Sequence, residues 1–212
     1  MKIRTQDELL DRLDNEVAWR IREISEFTLL AKSSSLLTQR ALIRGGVALA
    51  YAHLEGFVKT ASEVYLSFIE SRGLRFSQLN DNFITFGVKK HIHGLIDSKS
   101  HVLNTEVVNK ILNVLDEKAR FSFKSAVKTE SNLKSDVFSN IAASLGIMTT
   151  FYEGYYNFMD DVLLKNRNKI AHGEYILVSI DEFDSMCKDV ILIIRAYKTD
   201  IENLTVTESY KR

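Results

Sequence analysis

The absence of proline constrains the fold of this chain more than any other feature of its sequence. None of the 212 residues is proline, so no helix is interrupted by a residue that lacks a backbone N–H and clashes with the preceding turn. Apolar residues recur at intervals of three and four along most of the chain, and no segment alternates convincingly with the period of two that strands show. These patterns predict an all-α fold.

Two long helices are predicted in the first third of the chain. The pattern Thr5-Gln-Asp-Glu8 is typical of a capping box and predicts a first helix that continues to about Lys32. A second helix is expected over roughly Leu37–Ser71, because its apolar residues share one face. They are Val47, Tyr51, Leu54, Val58, Ala61, Tyr65 and Phe68. Gly45 and Gly46 predict either a kink in this helix or the close approach of a neighbouring backbone.

Shorter helices are predicted in the middle of the chain. The patterns favour helices at about 80–97 and 104–119, with the polar segment Asp97-Ser-Lys-Ser100 between them. A further helix is expected to open at Ser131 and to end at Gly146.

The last quarter of the chain is also predicted to be helical. One helix is expected to run from about Thr150 towards Arg167, and another to start at a second capping box, Ser179-Ile-Asp-Glu182. No internal repeat or linker is evident. Residues 1–212 are therefore expected to form one helical domain, in which approximately 73–130 is a variable helical insertion.

The charge and cysteine content limit the classes of function. The chain has 28 basic and 28 acidic residues, so a broad basic face for nucleic acid is not expected, and any such contact must be local. No segment approaches the roughly 18 consecutive apolar residues of a membrane helix, and the charged start MKIRTQDELLDRLD contains no signal-peptide core. The single cysteine, Cys187, lies in an apolar helical stretch and is expected in the core. We expect a cytoplasmic protein without disulfides.

The segment Leu164-Lys-Asn-Arg-Asn-Lys-Ile-Ala-His-Gly-Glu174 carries the residues best suited to chemistry. Asn168 and His172 are four residues apart and share a helix face. Arg167 and His172 are five apart, about 140° around an ideal helix. Arg167 and His172 would therefore converge only if the helix frays near its glycine stop, or if one of them comes from a second subunit.

An arginine and a histidine are sufficient to cleave RNA without a metal. The ribose 2′-OH is the nucleophile, so the protein needs only to move protons and to stabilise charge. Histidine exchanges protons near neutral pH, and the arginine fork binds phosphate oxygens as negative charge develops. A simpler interpretation is that Arg167 and Lys169 complement the helix macrodipole while His172 caps the helix.

The same segment resembles the signature near the end of HEPN domains (higher eukaryotes and prokaryotes nucleotide-binding), in which an arginine and a polar residue precede a histidine. Three further segments resemble one prokaryotic HEPN branch: Arg44-Gly-Gly-Val-Ala-Leu-Ala-Tyr-Ala-His-Leu-Glu-Gly-Phe-Val-Lys59, Ser131-Asn-Leu-Lys134 and Leu145-Gly146. The resemblance implies a HEPN-like helical bundle with the helical insertion in its middle. It also implies a homodimer in which two such motifs form a composite active site.

Catalytic members of the HEPN superfamily are ribonucleases, many of them in toxin–antitoxin, abortive-infection or restriction-linked defence systems. Applied to this sequence, the resemblance implies that Arg167 stabilises the transition state, that His172 transfers protons, and that Asn168 orients the histidine or the scissile phosphate. It implies RNA as the substrate, no cofactor or metal, and an operon-encoded partner or antitoxin as a further candidate partner.

The resemblance to HEPN domains also suggests residues that support Arg167. Glu55 would pair with Arg167 and hold its guanidinium group, with Lys59 and Lys169 nearby, although Glu55 and Lys59 could equally form a solvated pair one turn apart. One toxin branch of the family carries a regulatory tyrosine two residues beyond the histidine. Here Tyr175 is three residues beyond, so that form of regulation is not expected.

Other candidate residues receive structural interpretations. His91, His93 and His101 lack the cysteines or the spaced carboxylate of a zinc site. His53 is expected to be a core or interhelical histidine, with an active-site role left open. The aromatic residues Phe151, Tyr152, Tyr155, Tyr156 and Phe158 could stack on bases, but core or dimer-interface positions are favoured.

Two classes of function follow from the sequence. The first is a metal-independent endoribonuclease. The second is a non-catalytic HEPN module that binds a nucleotide, a nucleic acid or a partner protein in a defence operon, which the neutral net charge and the unexplained middle segment favour slightly. An antitoxin role is less favoured, because the chain has neither the acidic bias nor the disordered tail common in antitoxins.

Overall fold

The computed structural model describes residues 3–96, 99–121 and 132–212 and is all-α there. We number its α-helices α1 to α8. They are α1 (Gln6–Ser33), α2 (Leu36–Ser71), α3 (Asp81–Ile96), α4 (His101–Asp116), α5 (Ser135–Ser144), α6 (Thr150–Glu153), α7 (Lys165–Ala171) and α8 (Ile180–Val206). A 3-10 turn precedes α3 at Phe76–Gln78, and a π-helix, Phe158–Leu164, leads directly into α7. None of the described helices is both long and apolar enough to cross a bilayer.

The frame of the fold is formed by α1, α2 and α8, which pack against one another. Both predicted capping boxes are confirmed. Thr5 and Ser179 each accept a hydrogen bond from the third helical N–H, and the glutamates at that position, Glu8 and Glu182, bond back. All seven residues of the predicted apolar face of α2 are buried. Cys187 is also buried, as predicted, and burial raises the pKa of its thiol.

The two glycines of α2 have different surroundings. The helix is continuous through both, so the predicted kink is absent, and side chains rather than a backbone approach Gly46. A Cβ at Gly46 would lie 2.8 Å from Cε2 of Phe183 and 3.0 Å from Cδ1 of Phe27. A Cβ at Gly45 would meet only Phe27, at an ordinary 3.5 Å. Gly46 is therefore required for packing of α8 on α2.

We expect Gly46→Ala to destabilise the protein by about 1–3 kcal/mol, because an added methyl in a packed core forces its neighbours aside. The matched variant Gly45→Ala should be neutral or stabilising by up to about 1 kcal/mol, since alanine is the better helix former. Urea unfolding of the two variants measures the difference. Equal free energies of unfolding in the two variants would show that the contact with Phe183 does not require glycine at position 46.

The middle of the chain is joined to α2 by aromatic packing. Phe83 of α3 lies edge-on to Tyr65 of α2, with ring centroids 6.2 Å apart, and Phe121 contacts the rings of Phe76 and Phe86. The prediction for α3 is confirmed. The helix predicted at 104–119 begins earlier, at His101, because Ser100 caps it through Leu103 N. The assignment of residues 73–130 as an insertion stays a prediction.

The helix predicted from Thr150 towards Arg167 is wrong as a single element. The chain instead forms α6, a turn after Gly154, the π-helix and α7. The helix predicted to open at Ser131, which lies outside the described residues, begins at Ser135. A contact joins the π-helix to the start of α5. Asp160 of the π-helix accepts hydrogen bonds from Ser135 N (2.8 Å) and Ser135 Oγ (2.5 Å), so a distant carboxylate caps α5.

Candidate functional site

The motif Arg167–His172 lies on α7 and on the turn that ends it. His172 is the C-cap of α7, and its backbone N–H donates to Asn168 O at 3.0 Å. Gly173 follows with φ of +76°, a left-handed conformation that favours glycine. The predicted glycine stop is confirmed. His172 does occupy a capping position, as the simpler interpretation held, but its side chain is exposed.

The Arg167 side chain is held from several sides. Its Nη1 donates to Asn168 Oδ1 at 2.8 Å and to Asn132 Oδ1 at 3.2 Å. Its Nη2 lies 3.9 Å from Glu55 Oε2, and its Cζ lies 4.2 Å from the centroid of the Tyr51 ring. The guanidinium is therefore oriented by an ion pair, two amides and an aromatic face. This arrangement is more specific than a solvated charge at a helix end.

Tyr51 connects Arg167 to the segment before α5. Its ring is buried, and its hydroxyl oxygen accepts a hydrogen bond from Leu133 N at 2.6 Å. Burial raises the pKa of Tyr51 to about 12, so the phenol stays neutral at physiological pH. Leu133 follows Asn132, so the two residues before Lys134 both contact this cluster. Tyr51 and Asn132 were not predicted as site residues.

The Arg167 contacts also fix the amide of Asn168. A guanidinium group only donates hydrogen bonds, so the oxygen of the Asn168 side chain must face Arg167. The Nδ2 group is then the donor that remains for a phosphate oxygen. Among the residues that the structure describes, no hydrogen bond from Asn168 Nδ2 to a protein acceptor is present.

An open cleft of about 450 Å³ lies beside α7. Its walls include Asn168, His172 and charged residues of both signs. The charged residues are Lys134, Asp160, Asp161, Lys165, Lys169 and Glu174. Arg167 is not among the lining residues, but its Nη1 donates to Asn168, which does line the cleft.

The predicted supporting residues differ in position. Glu55 lies against Arg167, and Lys169 lines the cleft, where its carbonyl accepts a bond from Glu174 N at 2.8 Å. Lys59 is exposed, and in the described part of the chain no ion pair joins it to Glu55. The alternative of a solvated Glu55–Lys59 pair is therefore not what the structure shows.

His53 lies apart from this site, as an interhelical residue between α1 and α2. Its ring is buried, its Nε2 is 2.7 Å from Glu23 Oε2, and the Trp19 ring packs against it. Burial lowers the pKa of His53, against the opposing effect of the Glu23 carboxylate. The interhelical prediction is confirmed.

The remaining candidates are distributed over the fold. Tyr152 is fully buried and its hydroxyl donates to Asp200, whereas Phe151 is exposed and Tyr155, Tyr156 and Phe158 are half-buried. The side chain of His93 lies outside the described part of the structure. Among the residues that are described, no group of three or more histidine, cysteine or carboxylate side chains is arranged to hold a metal ion.

Comparison with known proteins identifies one family. A family model described as RiboL-PSP-HEPN matches residues 15–203. That range includes Tyr51, Glu55, Arg167 and His172. No curated protein and no solved structure matches the chain.

Proposed function

Because the chain belongs to the RiboL-PSP-HEPN family, we propose that it is a metal-independent endoribonuclease of HEPN type. The observation that carries the proposal is the position of His172 and Asn168 on the wall of one open cleft, with the Asn168 amide bonded to Arg167. A setting in prokaryotic defence, toxin–antitoxin function or stress response in the cytoplasm is part of the proposal.

The proposed reaction is an internal transfer within RNA. The 2′-oxygen attacks the adjacent phosphorus, the bond from phosphorus to the 5′-oxygen breaks, and the products carry a 2′,3′-cyclic phosphate and a 5′-OH. A proton must be removed from the 2′-OH and a proton must be donated to the leaving 5′-oxygen. Within one Arg–His pair, His172 would take up the first proton and then return it to the leaving oxygen. Lys134, Lys165 and Lys169 would bind flanking phosphates, which gives a local site in a chain of zero net charge.

A site shared between two subunits is part of the proposal. Arg167 and His172 are five residues apart on α7 and its end, about 140° around an ideal helix, and Arg167 is not among the residues that line the cleft. We therefore propose that Arg167 of one subunit acts with His172 of the other. Glu55 and Tyr51 would hold the guanidinium ready, so that little reorganisation is needed as charge develops.

A second candidate function is a non-catalytic module that binds a nucleotide, RNA or a partner protein. The observation that favours it is that Arg167 already has protein partners in Glu55, Asn132 and Asn168. The carboxylates Asp161 and Glu174 in the cleft favour it as well, since they repel phosphate.

The proposed function is tested by incubating the protein with total RNA and single-stranded RNA in EDTA and determining the product ends by mass spectrometry. We expect fragments with 2′,3′-cyclic phosphate and 5′-OH ends. Cleavage that requires a divalent metal, or fragments with 3′-OH ends, would contradict the proposed reaction. If the RNA stays intact, the non-catalytic binding module becomes the favoured function.

A further inference from the structure

The short segment after His172 has a fixed backbone. Gly173 turns the chain, and Glu174 N donates to Lys169 O of α7 at 2.8 Å. On the other side, Arg44 of α2 donates from Nη1 to Glu174 O at 2.9 Å. The segment is therefore attached to two helices through Glu174, which itself lines the cleft of His172.

Tyr175 projects from this fixed segment into solvent. It is 69% exposed, compared with 49% for Phe151 and 46% for Trp19. The next residue, Ile176, is buried and anchors the chain, while Leu177 is exposed again. Arg44 Cζ lies 5.8 Å from the centroid of the Tyr175 ring. A tyrosine ring is thus exposed one residue beyond Glu174 of the cleft, with a guanidinium group beside it.

From this geometry we infer that Tyr175, with Arg44 against its ring, is a stacking platform for an unpaired base of RNA. A flat aromatic ring stacks on any base, and an adjacent arginine adds both stacking and a phosphate donor. Because the faces of paired bases in a helix are covered by their neighbours, the platform selects single-stranded RNA. The inference rests on the proposed function, since it takes the occupant of the cleft to be RNA.

The test measures binding separately from cleavage. In a His172→Ala background with EDTA, we compare Tyr175→Ala, Tyr175→Phe and Leu177→Ala by fluorescence anisotropy. The probes are labelled oligoadenylate, oligouridylate of equal length and a double-stranded RNA. Leu177→Ala is the matched control, because it removes exposed apolar surface from the same segment without removing an aromatic ring.

We expect Tyr175→Ala to bind oligoadenylate about 5- to 150-fold more weakly, the loss that corresponds to one stacked base. Tyr175→Phe and Leu177→Ala should bind nearly as the background does. Any preference for oligoadenylate over oligouridylate should shrink in Tyr175→Ala, and double-stranded RNA should show no such loss.

Three results would overturn the platform. They are unchanged binding by Tyr175→Ala, an equal loss in Leu177→Ala, and conversion of a dimer into monomers by Tyr175→Ala in light scattering, which would assign the ring to a subunit contact. If RNA binding depends on Tyr175 but the protein with His172 intact does not cleave RNA, the ribonuclease proposal is rejected and the stacking platform is supported. Cleavage with an unchanged KM in Tyr175→Ala would keep the ribonuclease and reject the platform.

Discussion

Replacing His172 by alanine should lower the rate of RNA cleavage by about 100- to 10,000-fold, the usual contribution of general acid–base catalysis. The imidazole is exposed and lines the cleft, and the bond that it makes in ending α7 comes from its backbone N–H. The fold should therefore tolerate the change, with a free energy of unfolding within about 0.5 kcal/mol of wild type.

The matched control for this variant is His101→Ala. His101 is also an exposed histidine, but it lies at the start of α4, away from the cleft lining. Cleavage rates of both variants on the same single-stranded RNA, with thermal unfolding as a check on the fold, separate a role in the reaction from a general effect. Full activity in His172→Ala, or an equal loss in His101→Ala, would remove His172 from the mechanism.

The helical frame could be predicted because its signals are local. Thr5 and Ser179 each sit three residues before the glutamate that completes a capping box, and the spacing of apolar residues in α2 fixes its buried face. Such patterns need no knowledge of the rest of the fold.

The interruption between Thr150 and Arg167 could not be predicted from local spacing, and it coincides with a tertiary contact. Asp160 caps α5 through Ser135, a contact between two elements whose packing the sequence does not state. Local spacing alone favoured one continuous helix, and a π-helix has no comparable local signature.

The candidate site could be predicted only in part, because some of its residues are close in the sequence and others are not. Arg167, Asn168 and His172 form a compact motif, whereas Tyr51 and Asn132 reach Arg167 from distant parts of the chain. One signal for Tyr51 was present, since it precedes Glu55 by four residues and so shares its helix face. It was assigned to the core instead, and the structure shows that it is buried and also faces Arg167.

Mixing two inactive variants should restore activity if the site combines residues of two subunits. Arg167→Lys should by itself lower the cleavage rate by about 100-fold or more, because lysine cannot form the planar fork that a phosphate transition state uses. Arg195→Lys, at an exposed arginine of α8, is its control. In a mixed dimer, Arg167→Lys of one subunit and His172→Ala of the other fall in the same Arg–His pair, so the second pair stays intact.

For the central measurement, Arg167→Lys and His172→Ala are unfolded together and refolded, and native mass spectrometry verifies that mixed dimers have formed. The cleavage rate of this mixture is then compared with the rates of the separate variants. Random assortment makes half of the dimers mixed, and each mixed dimer keeps one of its two Arg–His pairs, so about a quarter of wild-type activity should return. Activity no higher than that of the separate variants, although mixed dimers have formed, would contradict a site shared between Arg167 of one subunit and His172 of the other.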